Sequence, residues 1–155
     1  MVNIVPTTNK EYMKVALAEA KKAFAKKEVP IGAVIVKDDK IIAQAHNLKE
    51  STQDATAHAE ILAIQQAAEK LGGWRLLDCT MYVTVEPCIM CAGALVEARV
   101  ERLFFGTSEV KRGAAGSLFN VVDHNSLNHR LEVESGLLEK EAKRLMQDFF
   151  AKLRD

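Results

Sequence analysis

The chain has 155 residues, of which 48% are apolar and 27% charged, and its 21 basic and 21 acidic side chains give a net charge of zero. A chain of this length fits one compact domain whose apolar residues can form a core without disulfide bonds. The balanced charge excludes a generally basic nucleic-acid-binding surface, so any contact with RNA must depend on local positive charge.

The sequence offers no sign of a membrane or a secretory route. No stretch approaches the roughly 20 apolar residues that a membrane span needs, and residues 1–6 lack the basic start of a secretory signal. We therefore expect a cytoplasmic protein with no membrane partner. Its three cysteines, an odd number in a reducing compartment, favour metal binding or catalysis over a disulfide framework.

Periodic apolar residues and turn signals divide the chain into alternating helices and strands. Thr8 and Glu11 form a capping-box pattern at the start of the first helix, and Pro87 suits the first turn of a later one. The predicted elements are a helix over residues 10–26, strands over 33–36 and from 41 around a turn at 38–39, a loop over 46–57, a helix over 58–71, a strand over 81–85, a helix over 87–98, a strand over 103–105, a loop over 106–120, a strand over 131–133 and a helix over 137–153. Such alternation predicts an α/β fold with helices on both faces of a sheet, formed by one domain over residues 1–155.

Cys88 and Cys91 form a C-x-x-C motif at the predicted start of a helix. A helix N-terminus stabilises thiolates, and thiolates bind zinc. A haem attachment motif would need a histidine where Ala92 stands. A structural zinc site would need a fourth protein ligand; Cys79 is the remaining cysteine, and we expect it to be a buried core residue.

His58 is the candidate third ligand, and Glu60 follows it by two residues. Three protein ligands leave one coordination position open, which is typical of a catalytic zinc site, and Glu60 would then be free to act as an acid and base. Residues i and i+2 of a regular helix point about 200° apart. His58 must therefore lie in a frayed first turn, or the site must approach along the helix axis, and the spacing leaves both possibilities open.

These two motifs, residues 58–60 and 87–91, together resemble the signature of the cytidine-deaminase-like zinc deaminases. A finer resemblance, from about Glu11 to Phe150, is to the bacterial tRNA-specific adenosine deaminases, which convert the wobble adenosine of a tRNA to inosine. It is carried by residues 28–33, 46–47, 54–60, 86–94, 113–118, 127–130 and 148–150.

The resemblance implies a three-layer α/β/α cytidine-deaminase-like fold with a central mixed sheet of about five strands. It also implies a homodimer that binds one zinc ion per subunit through His58, Cys88 and Cys91 and acts on the anticodon stem-loop of a tRNA. Zinc would make hydroxide available at neutral pH. Glu60 would take up the water's proton, deliver it to ring N1 of adenine and later protonate the departing amine.

The same resemblance implies substrate contacts that residue types alone would not single out. Asn47 is the candidate for reading the base, because an amide can both donate to and accept from a purine edge, although such a residue could equally stabilise a turn. Glu109 stands where the family often has an aspartate, so a ribose contact there is in doubt. The other implied contacts are Val29 and Pro30 in the pocket, Lys111 at a phosphate, Asn128 and His129 beside the substrate loop, and Phe149 under a base.

Two alternatives remain open at the level of sequence. A deaminase of a free base or nucleoside, such as guanine or cytidine, would use the same zinc core, although residues 113–118 and 127–130 favour the tRNA branch. A module of another class would bind RNA around a structural zinc without catalysis, and it predicts a fourth protein ligand, for which Cys79 is the candidate.

Overall fold

A five-stranded mixed sheet forms the middle layer of the structure, a computed structural model that describes residues 5–154. The elements are α1 (Asn9–Ala25), β1 (Gly32–Lys37), β2 (Lys40–His46), α2 (Lys49–Thr52), α3 (Ala59–Leu71), β3 (Cys79–Val85), α4 (Ile89–Glu97), β4 (Arg102–Thr107), β5 (Glu132–Ser135) and α5 (Glu139–Arg154). The strand order is β2-β1-β3-β4-β5. Strand β1 is antiparallel to both β2 and β3, whereas β3, β4 and β5 are parallel to one another.

Helices cover both faces of this sheet. Successive residues of a strand point to opposite faces, and both sets of side chains are buried here. On β1, Ala33 and Ile35 face the core that includes residues of α3 and α4, whereas Val34 and Val36 face the core that includes α1. Tyr82 of β3 and Phe104 of β4 lie on the α1 side as well, with their rings stacked. The prediction of a three-layer α/β/α fold with a mixed sheet is therefore confirmed.

The local signals in the sequence mark most element ends correctly. The Thr8 hydroxyl accepts a hydrogen bond from the Glu11 backbone N–H at 3.2 Å and so caps α1. Asp38 and Asp39 both have positive φ, 51° and 60°, which a two-residue hairpin turn of type I′ requires. The prediction for Pro87 is wrong by two positions, because the extended backbone of Cys88 makes Cys88 the N-cap and α4 begins after it.

The contact between α1 and β1 depends on a glycine. An ideal Cβ at Gly32 would overlap the Ala16 carbonyl and lie 2.6 Å from the Ala20 nitrogen. Helix α1 therefore rests directly on the strand backbone at this point. The loop that contains Val29 and Pro30 connects α1 to this contact, so its position is closely tied to that of the helix.

None of the helices within residues 5–154 is long and apolar enough to cross a membrane. Residues 1–4 and 155 lie outside the described part of the chain. The expectation about a secretory signal over residues 1–6 falls largely on them, and the single domain over 1–155 also extends beyond the described residues. Both therefore stay predictions.

Candidate metal centre and active site

The three candidate ligands lie at the N-termini of two helices, next to the carboxyl end of β3. His58 is the N-cap of α3 and Cys88 the N-cap of α4, while Cys91 lies in the first turn of α4. Both N-cap residues have extended backbone, with ψ of 151° at His58 and 176° at Cys88. This resolves the spacing problem, since His58 stands outside the regular helix whose first turn contains Glu60.

The donor atoms of His58, Cys88 and Cys91 all lie within 4.8 Å of one another. Nδ1 of His58 is 3.6 Å from Sγ of Cys88 and 3.5 Å from Sγ of Cys91. Zinc bonds of about 2.3 Å to sulfur and 2.0–2.1 Å to nitrogen, set at tetrahedral angles, would separate those atoms by about 3.5–3.6 Å. The three side chains therefore already have the spacing of three corners of a tetrahedral zinc site.

The pKa values of the two thiols are shifted in opposite directions. The Cys91 thiol, hydrogen-bonding to Cys88, lowers the pKa of Cys88 to about 3, and His58 contributes in the same direction. The same Cys88 interaction, together with burial, raises the pKa of Cys91. The hydrogen bond that His58 donates to Cys88 also raises the pKa of His58. The low pKa of Cys88 favours its thiolate, which is the form that binds a divalent metal.

Glu60 is the buried carboxyl beside these ligands. Its side chain is almost inaccessible, at 3% exposure, and its Oε1 is the one buried side-chain nitrogen or oxygen in residues 5–154 without a hydrogen-bond partner. Burial raises the pKa of Glu60 to about 7, and the charge of Cys88 adds to the rise. A carboxyl with a pKa near neutrality and a free oxygen can both accept and donate a proton.

A cavity of about 360 Å³ opens beside His58 and Cys88. Its wall is mixed, with apolar side chains around two basic ones, Lys111 and Arg112. The complete lining is Lys49, Ala55, His58, Cys88, Ile89, Met90, Lys111, Arg112, Leu118 and Phe119. The predicted phosphate contact Lys111 therefore lies at the same cavity as the candidate ligands, whereas nothing in the sequence singled out Lys49.

Asn47 is placed in the structural role that the sequence left open. Its Nδ2 donates to the Val29 carbonyl at 3.2 Å, and its Oδ1 accepts from the Lys49 N–H at 3.1 Å. Its backbone N–H donates to the Ile31 carbonyl. The side-chain amide still has one N–H and one lone pair for a ligand. Pro30 beside it is buried and Val29 half-buried, so base reading by Asn47 and a pocket wall at Val29 and Pro30 stay predictions.

Stacking of Phe149 under a base stays a prediction, and the structure places this ring in the core. Phe149 is only 6% exposed and packs edge-on against Phe24 of α1, with ring centroids 5.6 Å apart. Its neighbour Phe150 is 41% exposed and lines a separate cleft with Thr107 and Glu109. Adjacent helix residues point about 100° apart, so the two phenylalanines face different surroundings. Phe150 is the ring that a ligand can reach.

A position of Asn128 and His129 beside the substrate also stays a prediction, and neither residue lines the cavity beside Cys88. His129 Nε2–H donates to the Val100 carbonyl at 2.7 Å. Val100 lies just before β4, at the edge where the parallel strands begin, whereas Cys88 follows the opposite end of β3. These ends are separated by about 20 Å of strand at 3.3 Å per residue. The segment with Asn128 and His129 leads into the start of β5, which explains its position.

Cys79 begins β3, and Cys88 follows the end of that strand. The Cys79 thiol is fully buried, and its Sγ donates a hydrogen bond to the Leu77 carbonyl. The prediction of a core cysteine is confirmed, and a structural zinc site with Cys79 as its fourth ligand does not fit this geometry.

Glu28, which sequence reasoning did not single out, is a fully buried carboxylate in front of Val29. It accepts hydrogen bonds from the backbone N–H groups of Glu50 and Ser51 and from the Ser51 hydroxyl. Burial opposes its ionisation, but these hydrogen bonds outweigh burial and lower the pKa of Glu28. Glu28 therefore fixes α2, which leads from Asn47 towards His58.

Glu86 is a second carboxylate of this kind, directly before Pro87 and Cys88. It is 3% exposed and accepts hydrogen bonds from the backbone of residues 109–117 and from the Ser117 hydroxyl. Burial again opposes ionisation, and the hydrogen bonds, that of Ser117 first, lower the pKa of Glu86. A charged residue that interrupts an apolar strand end was the available signal, but its partners lie 23–31 positions further along the chain.

Comparison with known proteins identifies the class to which this fold and site belong. The family model of the MafB19-like deaminases matches residues 7–154. The tRNA-specific adenosine deaminase of Bacillus subtilis is 51% identical over 148 residues, which cover 96% of this chain and 92% of that protein.

Solved structures point the same way. A tRNA A34 deaminase, studied for A-to-I editing at the wobble position of transfer RNA, has a TM-score of 0.86 and 42% identity and covers 88% of this chain and 99% of its own. A guanine deaminase from Nitrosomonas europaea has a TM-score of 0.82 at 25% identity, and the match covers 96% of this chain and 87% of that protein. The chain belongs to the family of tRNA-specific adenosine deaminases.

Proposed function

We propose that this protein hydrolyses adenosine to inosine at the wobble position of a tRNA, with one zinc ion in each subunit. The observation that carries the proposal is the convergence of one histidine and two cysteines beside a buried glutamate with a free oxygen. The Bacillus subtilis relative, which is 51% identical, is a tRNA-specific adenosine deaminase, and this supports adenosine in tRNA as the substrate.

Zinc would be held by Nδ1 of His58 and the sulfurs of Cys88 and Cys91, because those atoms have tetrahedral spacing and a nitrogen–sulfur donor set suits zinc. When bound with three protein ligands, zinc lowers the pKa of a water molecule at its open position to about 7. Two thiolates would offset the charge of the ion, which leaves a nearly neutral centre for a neutral base.

Glu60 is the proton carrier in this proposal. Its free Oε1 accepts a proton from the attacking water and delivers it to ring N1 of adenine. The oxygen of that water adds to C6. Oε1 then takes the remaining proton of that water from the oxygen on C6 and passes it to the amine. The bond between C6 and the amine breaks, so adenosine and water give inosine and ammonia. One carboxyl serves as base and then as acid, which requires a pKa near neutrality.

The cavity beside His58 and Cys88 is an argument for an RNA substrate whose target base is unstacked. A nucleotide in a hairpin loop is already partly free of stacking, so its extrusion into a pocket costs less than from a duplex. In this proposal Asn47 reads the base edge, and Val29 and Pro30 line the pocket. Lys111 and Arg112 contact phosphates, and the exposed Phe150 replaces Phe149 as the stacking ring.

We also propose that the protein is a cytoplasmic homodimer. The half-exposed apolar side chains of Ile89, Leu118 and Phe119 at the cavity rim support a surface for the second subunit.

The test is incubation of the zinc-loaded protein with an anticodon stem-loop that carries adenosine at the wobble position, followed by sequencing for inosine. A stem-loop with guanosine at that position is the control. We expect inosine in the first RNA and no change in the second. The structural likeness to a guanine deaminase makes free guanine the alternative substrate. Ammonia released from guanine or cytidine, with the adenosine RNA unchanged, would overturn the proposal.

The metal is tested separately by its content and by X-ray absorption. We expect one zinc per chain with two sulfur ligands, one imidazole and one exchangeable oxygen. Three sulfur ligands without an exchangeable oxygen would exclude the catalytic site proposed here.

A further inference from the structure

The loop of residues 109–117 is attached to the segment that contains Cys88 through one buried side chain, that of Glu86. Glu86 Oε1 accepts from the Glu109 N–H at 3.0 Å and from the Ser117 hydroxyl. Its Oε2 accepts from the N–H groups of Ala115 and Ser117, each at 3.0 Å. Four donors from one loop thus surround one carboxylate, and together they satisfy both of its oxygens.

The backbone of the loop is shaped for this contact. A Cβ at Gly113 would overlap the carboxyl carbon of Glu86 and the Glu109 carbonyl. The absence of a side chain at Gly113 lets the loop close over the carboxylate. Gly113 also forms a β-bridge with Cys88, and the Ala114 N–H donates to the Pro87 carbonyl at 2.8 Å.

Lys111 and Arg112 lie on the part of this loop between the two anchors at Glu109 and Gly113. Both side chains line the cavity beside Cys88, and both residues are exposed. Exposed lysine and arginine side chains are costly to order one by one, because each loses rotamer freedom. Because the backbone is already fixed on both sides, only the side chains lose conformational freedom when an RNA phosphate binds, and the backbone share of the cost is absent.

We propose that Glu86 is a positioning residue for the deamination, which holds Lys111 and Arg112 at the mouth of the cavity by anchoring the loop of residues 109–117. This inference rests on the function proposed above, in which the loop of residues 109–117 contacts RNA, and it names Glu86 as the residue that fixes that loop. Glu86 touches neither the reacting base nor the metal in this role. The segment that contains Cys88 also contains this anchor, so the metal centre and the phosphate contacts share one support.

The first test is amide hydrogen exchange in the zinc-loaded Glu86→Gln variant. Glutamine replaces one accepting oxygen by an NH2 group that cannot accept a hydrogen bond, so two of the four donors lose their partner. We expect exchange at Glu109, Ala115 and Ser117 to rise at least about tenfold, with no change over α3 and with full zinc content. Unchanged protection over residues 109–117 would overturn the proposal.

Glu28→Gln is the matched control, because Glu28 is equally buried and accepts three similar hydrogen bonds from α2 and the Ser51 hydroxyl. It should raise exchange at residues 50–51 and leave residues 109–117 protected. If both variants loosened residues 109–117 equally, the effect would be general destabilisation and the assignment would be wrong.

Ser117→Ala, which removes only a hydroxyl, replaces Glu86→Gln if that variant fails to fold. It should raise exchange of the backbone N–H at position 117 about two- to threefold, and no rise would count against the anchor.

The second test measures RNA affinity against salt concentration for the same stem-loop. Each lost phosphate contact on single-stranded nucleic acid reduces the slope of log affinity against log salt by about 0.7. We expect Glu86→Gln to reduce the slope as Lys111→Ala does, and the double variant to add little beyond either single change. Additive effects, or an unchanged slope in Glu86→Gln, would contradict the proposal, because mere loss of stability would not alter the slope.

The two tests separate this inference from the proposed function. Wild-type protein that edits no RNA would refute the proposed function, while the exchange pattern would still decide whether Glu86 fixes the loop. Wild-type protein that edits the stem-loop, with unchanged exchange in Glu86→Gln, would leave the function standing and refute the anchor.

Discussion

Glu28 and Glu60 are the same residue type, both are buried, and they are held in opposite states. Glu28 accepts three hydrogen bonds from α2, and its pKa is lowered. Glu60 has a free oxygen beside two thiols, and its pKa is raised to about 7. Both side chains are buried, but hydrogen bonds outweigh burial at Glu28, whereas burial dominates at Glu60 and the negative charge of Cys88 adds to it.

The hydrogen bonds of Glu28 therefore stabilise the fold, whereas the unpartnered oxygen of Glu60 destabilises it and is available for proton transfer. An unpartnered buried polar atom costs free energy, and here that atom is the one that the proposed mechanism uses. Glu60 belongs to the first turn of α3 directly after His58, so the cost falls where the metal centre is formed. Substitutions that remove the charge should consequently have opposite effects in the two regions.

The largest expected effect is on turnover in Glu60→Gln. Removing a positioned general acid and base should slow deamination by about 10²–10⁴-fold. Zinc content should stay the same, because His58, Cys88 and Cys91 are untouched, and the free energy of unfolding should not fall, because no hydrogen bond to Oε1 is lost. Single-turnover rates, metal content and denaturant unfolding measure the three quantities. Loss of zinc, or activity within tenfold of wild type, would show that Glu60 has been misassigned.

The next effect is the stability loss in Glu28→Gln, where the same substitution removes partners. Donors that lose a charged acceptor should reduce the free energy of unfolding by about 2–4 kcal/mol. Turnover at saturating RNA should fall less than tenfold, because Glu28 contacts α2 rather than the base or the metal. Denaturant unfolding compared directly with Glu60→Gln gives the contrast; equal stability losses in both variants would break the comparison.

A smaller loss is expected in Ser51→Ala, which removes one donor to Glu28 and leaves both backbone donors in place. The cost should be about 1–2 kcal/mol, as for one hydrogen bond to a charged group. It should largely vanish in a Glu28→Gln background, because the two residues share the interaction. A double-mutant cycle in denaturant checks this, and full additivity would show that the hydroxyl contributes elsewhere.

The smallest effect concerns pH. The folded pKa of Glu28 is lower than the unfolded value of about 4.3. Its contribution is therefore fully present above pH 4.3 and is lost as the pH falls through the folded pKa. The stability gap between wild type and Glu28→Gln should narrow below that pH and stay constant from pH 5 to 7. Denaturant unfolding from pH 3 to 7 measures the gap, in which the other carboxyls cancel; a gap that widened in acid would reverse the sign assigned here.

The part of the site that could be predicted from the sequence consists of residues that lie close together along the chain. His58 and Glu60 lie two residues apart, Cys88 and Cys91 lie three apart, and each pair begins a helix. Metal-ligand chemistry restricts the residue types at such positions so strongly that the two motifs predicted a convergence which the structure contains. The alternating helices and strands were equally readable, because periodicity and caps act over a few residues.

The surroundings of the predicted substrate-contact residues could not be predicted from the sequence, because packing between distant segments decides them. Whether Phe149 or Phe150 is exposed depends on how α5 lies against Phe24 of α1. The position of His129 depends on its hydrogen bond to Val100, 29 residues earlier in the chain. No local pattern reports such distances. The same holds for Glu86, whose role becomes visible only when the loop of residues 109–117 folds back onto it.

The bare backbone contact at Gly32 limits how the selectivity of this enzyme could be redesigned. With no side chain between α1 and β1, the loop of residues 29–31, which lines the pocket in the proposed function, has little freedom to move. Space for a bulkier base would have to come from residues 109–119, several of which line the cavity beside Cys88. Laboratory evolution for new substrates should accordingly collect changes in residues 109–119 and leave Gly32 untouched.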